Sequence, residues 1–398
     1  MTSRNRILVL LFAGAFLANF DRYIMNYAVL FMSQDLNLSL SATGLLLSSF
    51  FAGYTIMQIP GGWITDRFGP KKVLVTAVFF WSIFTGLTGV AWSLVSLIII
   101  RFLFGIGEGG FSPASSKLIS ITFTEAKRAK VMSIVLSSTG IIGCIIPILS
   151  TVILTTIGWR ALFVILGVVG IIVTVLYWKF IELPECNPKE ADTQIDFSKE
   201  YVTIRNVFNE PNIQNLFIAY FSIYIVQWGL ATWLPTYFVK HRNIDLISFG
   251  WLQLIPGIIS IFSFYLSGYV IDKLPISKAK LVGGSSCIGL GISLYFTFSS
   301  SSIVSFVTFQ TISSLFIVFI CVLLPVMLIK QFSSSLVGTA MGVINTGGQL
   351  AGFVSPMAIG LLVEKFDGDF NVVVWMLIIF SIVCAGAILT IKKYNTSE

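Results

Sequence analysis

LANFDRYIMNYAVLF, residues 17–31, decides how this chain folds. It places Asp21 and Arg22 side by side within an otherwise apolar run from Ile7 to Met32. A second run, Leu94 to Ser120, repeats the anomaly: in IIIRFLFGIGEGGFSPASS, residues 98–116, Arg101 and Glu108 stand among apolar and small residues. No other apolar stretch carries a formal charge in its interior. Runs of this length match the roughly 20 apolar residues that cross a bilayer as a helix. A lone charge at the centre of such a helix costs about 2.5–3.5 kcal/mol on insertion scales, so it has a partner or a task. Two cations and two anions at such positions point to one polar site. The plainer alternative is a structural ion-pair network that ties two helices together.

Composition agrees with a membrane chain. Of the 398 residues, 56% are hydrophobic and 11% charged, and the mean hydropathy is +0.91. Soluble domains carry about 25% charged residues. Twelve spans can be marked: 7–32, 42–64, 72–91, 94–120, 131–156, 160–181, 212–239, 247–271, 280–298, 302–329, 336–363 and 370–391. The expected fold is an all-α integral membrane protein of two six-helix halves. They are an N-terminal bundle over 1–181 and a C-terminal bundle over 211–398, joined by a polar cytoplasmic linker over 182–210. That linker contains LPECNPKEADTQIDFSKEY, rich in charge and turn formers.

Charge distribution orients the spans. Of the 25 Lys and Arg, Arg22 and Arg101 lie within helices, and Arg160, Lys240, Arg242 and Lys365 fall in loops of one side. The remaining 19 gather on the other side, which the positive-inside bias makes cytoplasmic, with both termini. This bias accounts for the net charge of +7 without nucleic acid. The five cysteines show no CxxC or Cys/His spacing, so neither a disulfide framework nor a metal site is expected. GIGEGG, residues 105–110, lies inside a span and lacks the GK[ST] ending of a phosphate loop, so no nucleotide cofactor is expected. The small residues there let helices approach closely. The only histidine, His241, lies in a loop, and neither HExxH nor GxSxG occurs, which argues against an intramembrane enzyme. A sensor would need a long soluble output domain, and none is evident in the sequence.

The halves carry a weak internal repeat. GGWITDRFGPKK, residues 61–72, follows the second span, and SGYVIDKLPISKAK, residues 267–280, follows the eighth. Gly62-x-x-x-Asp66-Arg67 aligns with Gly268-x-x-x-Asp272-Lys273 at an offset of 206 residues. Repeated halves around a central site are a common transporter plan.

GGWITDRFGPKK resembles the loop motif of the major facilitator superfamily, G-x-x-x-D-[RK]-x-G-x-[RK]-[RK], with Gly62, Asp66, Arg67, Gly69, Lys71 and Lys72 on the motif positions. The resemblance implies a conformational latch there, with Asp272 as its weak second copy. In physical terms Gly62 permits close helix approach, and Asp66 can cap or pair with a neighbouring helix terminus. The chain is also similar to the anion:cation symporters of that superfamily, which carry hexonates, hexuronates, sialate and phosphate-type anions. The similarity runs through Asp21-Arg22, GYTIMQIPGGW (53–63), RFLFGIGEGGFSPA (101–114), IGWRALF (157–163), WLPTYF (233–238) and MGVINTGGQLAGFVSP (341–356). It departs at Asn19, where those proteins often have Tyr two residues before the Asp. The Gly-Pro signature of drug/proton antiporters in the fifth span is absent; Pro147 follows Ile146.

Depth supports one site. Asp21 lies 14 residues beyond Ile7, and Glu108 lies 14 beyond Leu94, entering from the opposite face. At 1.5 Å per residue both sit about 21 Å from their own starting faces, near mid-bilayer. Arg101 precedes Glu108 by nearly two turns on nearly the same helix face, about 10 Å closer to the outside. Arg22 is turned about 100° from Asp21. Arg keeps its charge and presents a planar fork to carboxylate or phosphate, which makes Arg22 the expected anion clamp. Burial favours a protonated carboxyl and a nearby Arg favours the ionised one, so Asp21 and Glu108 are the expected proton carriers. The resemblance assigns the same roles. Arg101 is expected to support them by modulating Glu108 or linking to Asp21. Tyr23 flanks the charged pair, Tyr54 matches a cavity position of the resembled family, and Asn345 falls on its GxxN motif. Gln227, Trp228 and Gln349, with Tyr224 and Gln253, complete the polar or aromatic groups expected toward substrate.

The expected function is proton-coupled symport of a small organic anion, such as a sugar acid, by alternating access. The competing expectation is proton-coupled export of a drug or chelating metabolite through the same carboxylates. The expected partners are the anion, protons and the lipid bilayer. The superfamily usually works as single chains, which implies a monomer. The short first outer loop, SQDLNLSLS (33–41), points to a bacterial cytoplasmic membrane.

Overall fold

A backbone in hydrocarbon has no water to satisfy its N–H and C=O groups, so each span must close its own hydrogen bonds as a helix. The structure, a computed structural model, describes residues 3–181, 207, 210, 212–332 and 334–392. The linker over 182–210, with Cys186, lies almost wholly outside the described residues.

Thirteen helices are described: α1 (Ser3–Asp35), α2 (Leu40–Phe68), α3 (Pro70–Gly89), α4 (Leu94–Gly109), α5 (Phe111–Thr122), α6 (Glu125–Phe180), α7 (Ile213–His241), α8 (Leu246–Leu252), α9 (Leu254–Asp272), α10 (Ile276–Ser299), α11 (Ile303–Gln331), α12 (Ser334–Lys365) and α13 (Asn371–Leu389). Among the described residues, eleven stretches are long and apolar enough to cross a membrane. One of them, of 51 residues, bends at Gly158, whose φ of 76° leaves the helical region, and so supplies two of the twelve spans.

Local chemistry sets these boundaries. Ser39 starts α2 by accepting the Ala42 amide at 3.2 Å, and Ser93 and Ser96 exchange amide-to-hydroxyl bonds at the start of α4. Gly69, at φ 84°, turns the chain from α2 into Pro70 at the first position of α3. The fourth span breaks between α4 and α5 because Pro113 cannot donate to the Gly109 carbonyl four residues back. The eighth breaks between α8 and α9 for the same reason: Pro256 stands four residues after Leu252.

The chain divides into two compact units. The first holds residues 1–187 with 232–251 and 356–361. Within it α3 packs on α6 and α4, α2 on α4, and α1 on α6. The Trp233 indole ties residues 232–251 to 356–361 by donating to the Pro356 carbonyl at 3.1 Å, and the Thr151 hydroxyl reaches the Leu246 carbonyl at 3.1 Å. The second unit holds 188–231, 252–355 and 362–398, in which α10 packs on α11 and α13, and α9 on α11.

Helices α2 and α4 cross at two glycines. A Cβ on Gly105 would lie 2.2 Å from the Phe50 carbonyl and 2.8 Å from the Tyr54 amide; one on Gly53 would lie 2.0 Å from the Phe102 carbonyl. Backbone meets backbone here, so neither helix can yield by a rotamer change. Gly105→Val is therefore expected to destabilise the protein by about 3 kcal/mol or more, the upper range of overpacking costs. A thermal melt of the detergent-purified variant reads this; an unshifted midpoint would mean that the two helices can part freely.

Candidate functional site

Asp21 and Arg22 follow one another on α1, so about 100° of helix separates their directions. Asp21 is 1% exposed and turns to α3, where the Thr85 hydroxyl donates to Oδ2 at 3.0 Å. Arg22 turns to α4 and α2. Its Nη2 donates to Glu108 Oε1 in an ion pair, and its guanidinium carbon lies 4.9 Å from the ring centres of both Phe50 and Tyr54. The Gly53 and Gly105 crossing brings those two rings into place. Two aromatic faces on one guanidinium restrict its plane and leave its edges for hydrogen bonding.

Arg101, on the same helix as Glu108, is buried. Its guanidinium lies 4.8 Å from the Phe163 ring centre and 5.2 Å from that of Phe104, and its charge acts on both Asp21 and Glu108. The site is formally neutral, with two cations against two anions. Several buried atoms in it have no hydrogen-bond partner: Asp21 Oδ1, Arg22 Nε, Glu108 Oε2, and Arg101 Nε and Nη2. An unmet buried polar group costs about 1–3 kcal/mol, more when charged. Such capacity suits a site that takes up a proton or a charged ligand and gives it back. Among the described residues no cluster of three His, Cys, Asp or Glu could hold a metal ion.

The structure thus brings together Asp21, Arg22, Arg101, Glu108 and Tyr54, with the half-buried Tyr23 in the field of Arg22. Arg22, expected as a clamp for an outside anion, already holds an internal one. Phe50, Thr85 and Phe163 complete the cluster, though the sequence does not single them out. Phe50 has a signal there, since it lies one turn before Tyr54 on the same face. Thr85 has none, because nothing in FTGLTG says which face of α3 meets α1.

The other polar candidates belong to the second unit. Gln227 is half-buried and accepts from Cys321 Sγ at 3.6 Å. Trp228 is buried, Gln349 half-buried and Asn345 exposed. The Tyr224 ring stacks on Tyr220 at 4.7 Å. Gln253 and Gln310 exchange amide hydrogen bonds at 2.6 and 3.2 Å, which closes both side chains on each other.

At the loop motif, Asp66 pairs at 2.6 Å with Lys117 of α5, whereas the sequence also allows a helix terminus as its partner. Gly62 faces open space, as does Gly69 at its positive φ; Lys71 is half-buried and Lys72 exposed. Arg67 lies over Trp63 at 5.2 Å. In the second copy Asp272 is exposed, and Lys273 lies over Tyr269 at 3.8 Å. In both halves the cation after the Asp covers an aromatic ring four residues earlier.

Comparison with known proteins agrees with this architecture. The family model described as Major Facilitator Superfamily matches residues 11–356. The probable sulfoacetate transporter of Cupriavidus necator is 30% identical over 91% of this chain and 88% of its own. The hexuronate transporter of Bacillus subtilis is 28% identical over 92% and 90%. The probable galactarate/D-glucarate transporter of Escherichia coli K12 is 26% identical over 93% and 90%. Among solved structures, a D-xylose–proton symporter superposes with a TM-score of 0.79 at 16% identity over all of both chains. A bacterial homologue of the human lysosomal transporter Spinster does so at 0.78 and 18%, over 98% of this chain and 96% of its own. These two show the fold alone. Twelve helical spans, a repeated Gly-x-x-x-Asp loop and a family match along most of the length leave one conclusion: the chain belongs to the Major Facilitator Superfamily and is a multi-pass membrane transporter, not an enzyme.

Proposed function

We propose that the chain carries a small organic anion, of the sugar-acid or related carboxylate class, together with protons and by alternating access. The observation that carries this reading is the Arg22–Glu108 ion pair, set between two helices next to a second acid, Asp21, and within the field of a second cation, Arg101. Glu108 occupies the guanidinium edge that an incoming carboxylate would need. An anion arriving beside an ionised Glu108 meets a like charge. A proton on Glu108 removes that repulsion and frees Arg22, so protonation and anion binding favour one another. When the anion leaves, Arg22 recovers Glu108 and the proton is expelled. Phe50 and Tyr54 keep the guanidinium plane in place through both steps. The names of the relatives support the substrate class: hexuronate, galactarate, glucarate and sulfoacetate are all organic anions. Asn345, Gln227, Trp228, Gln349, Tyr23 and Tyr54 are proposed as groups that read the substrate's hydroxyls. The positive-inside distribution supports cytoplasmic termini.

Uptake of labelled galacturonate, galactarate and sulfoacetate into proteoliposomes, with and without an inward proton gradient, tests this. At least one anion is expected to accumulate above equilibrium only when the gradient is present. Equal uptake in both conditions removes the proton coupling, and efflux against the anion gradient reassigns the chain as an exporter.

A further inference from the structure

A buried threonine in a membrane helix ordinarily turns its hydroxyl back to the carbonyl four residues earlier. In this chain Thr65, Thr88, Thr174, Thr297 and Thr311 all do so, at 2.7–2.9 Å. Thr85 is different. It is 1% exposed, and its hydroxyl donates across the helix interface to Asp21 Oδ2 at 3.0 Å. A hydroxyl offers one hydrogen, so donation to Asp21 leaves the Trp81 carbonyl, four residues back, without it.

We infer that Thr85 is a positioning residue for proton uptake at Asp21, its hydroxyl reversing between donor and acceptor as Asp21 loses or gains a proton. With Asp21 ionised, Thr85 donates to Oδ2, as seen. With a proton on Oδ2, the acid O–H donates to Thr85 Oγ1, and the Thr85 hydrogen turns to Trp81. Both states are satisfied by one bond rotation, with no movement of α1 against α3. The other groups facing Asp21 cannot do this. Arg101 of α4 has no acceptor and keeps its charge. Glu108 of α4 is a like charge whose Oε1 is held by Arg22 of α1. α6, which also packs on α1, carries no charged residue between Lys130 and Arg160 or between Arg160 and Lys179. The bond to an ionised acceptor is the stronger of the two, roughly twice a neutral one. Loss of the hydroxyl therefore penalises the ionised state more.

This inference rests on the reading of Asp21 as a proton carrier, and its test is independent of substrate. Infrared titration of the full chain in liposomes follows the protonated carboxyl band of Asp21, identified by its loss in Asp21→Asn. Thr85→Val, nearly isosteric, is expected to raise the midpoint by about one pH unit, the difference between a charge-assisted and a neutral hydrogen bond. Thr85→Ser, which keeps the hydroxyl, is expected to restore it. Thr85→Ala makes the same measurement if the valine variant does not fold. An unchanged midpoint in Thr85→Val, or a serine variant that behaves as valine does, overturns the inference; so does an Asp21 band that never titrates. If the midpoint moves as expected while labelled hexuronate accumulates regardless of a proton gradient, the hydroxyl switch stands and the proton-coupled symport reading fails.

Discussion

Arg22→Ala is expected to abolish anion uptake. Of the four charges in the cluster, Arg22 alone keeps appreciable exposure, 17% of its side chain against 4% for Glu108, while Asp21 and Arg101 stand at 1% and 2%. It is the one cation that a ligand can reach without unpacking a helix. Removing one partner of a desolvated charge pair costs about 2–5 kcal/mol, which is roughly thirtyfold to several thousandfold in affinity. Arg22→Lys keeps the charge but loses the fork and the two stacked faces, and is expected to lose at least about tenfold. The alanine variant also leaves Glu108 buried without its cation, so part of any loss could reflect folding. Removing both partners avoids that problem, since a buried pair replaced together is often near neutral for stability. Arg22→Ala with Glu108→Gln should melt within a few degrees of the parent and bind no anion by calorimetry. Galacturonate or sulfoacetate binding by that folded double variant would place the clamp elsewhere.

The charged residues were legible because a bilayer makes them expensive. Asp21, Arg22, Arg101 and Glu108 each break an apolar run, and counting 1.5 Å per residue from opposite faces puts Asp21 and Glu108 at one depth. Depth says nothing about rotation. It pairs the two acids by level, whereas the ion pair joins Arg22 to Glu108 and leaves Asp21 to Thr85 and the field of Arg101. The twelve spans were legible from hydropathy, and their ends agree within a few residues. The breaks at Gly109 and Leu252 were written in Pro113 and Pro256 but drowned by apolar residues on both sides. Phe50 and Thr85 look like ordinary core residues in sequence. Only the glycine crossing of α2 on α4, and the Thr85 bond from α3 to Asp21 of α1, tie them to the cluster. Gln253 illustrates the opposite case: a polar residue in a span reads as a ligand group, yet its amide is taken up by Gln310.

Glu108→Gln is expected to leave exchange intact and to end accumulation. Glutamine keeps the shape and can still accept from Arg22 through its carbonyl oxygen, but it carries no charge and takes up no proton. Arg22 then stands permanently available, so anion binding should tighten by about tenfold, one charge-assisted competitor having been removed. It should also lose its dependence on pH, since no titrating carboxyl then competes for Arg22. Counterflow, in which labelled anion enters against unlabelled anion inside, needs only a site that opens to both faces, and should proceed at a near-parental rate. Net uphill uptake needs the proton's free energy, which has no route into anion binding once Glu108 cannot release Arg22 in one protonation state and reclaim it in the other. Asp21 cannot substitute, because its carboxylate turns to Thr85, about 100° around α1 from Arg22, and does not compete for the Arg22 edge. Uphill, gradient-driven uptake by Glu108→Gln proteoliposomes would therefore move the coupling to Asp21 and leave the Arg22–Glu108 pair as a structural tie between α1 and α4.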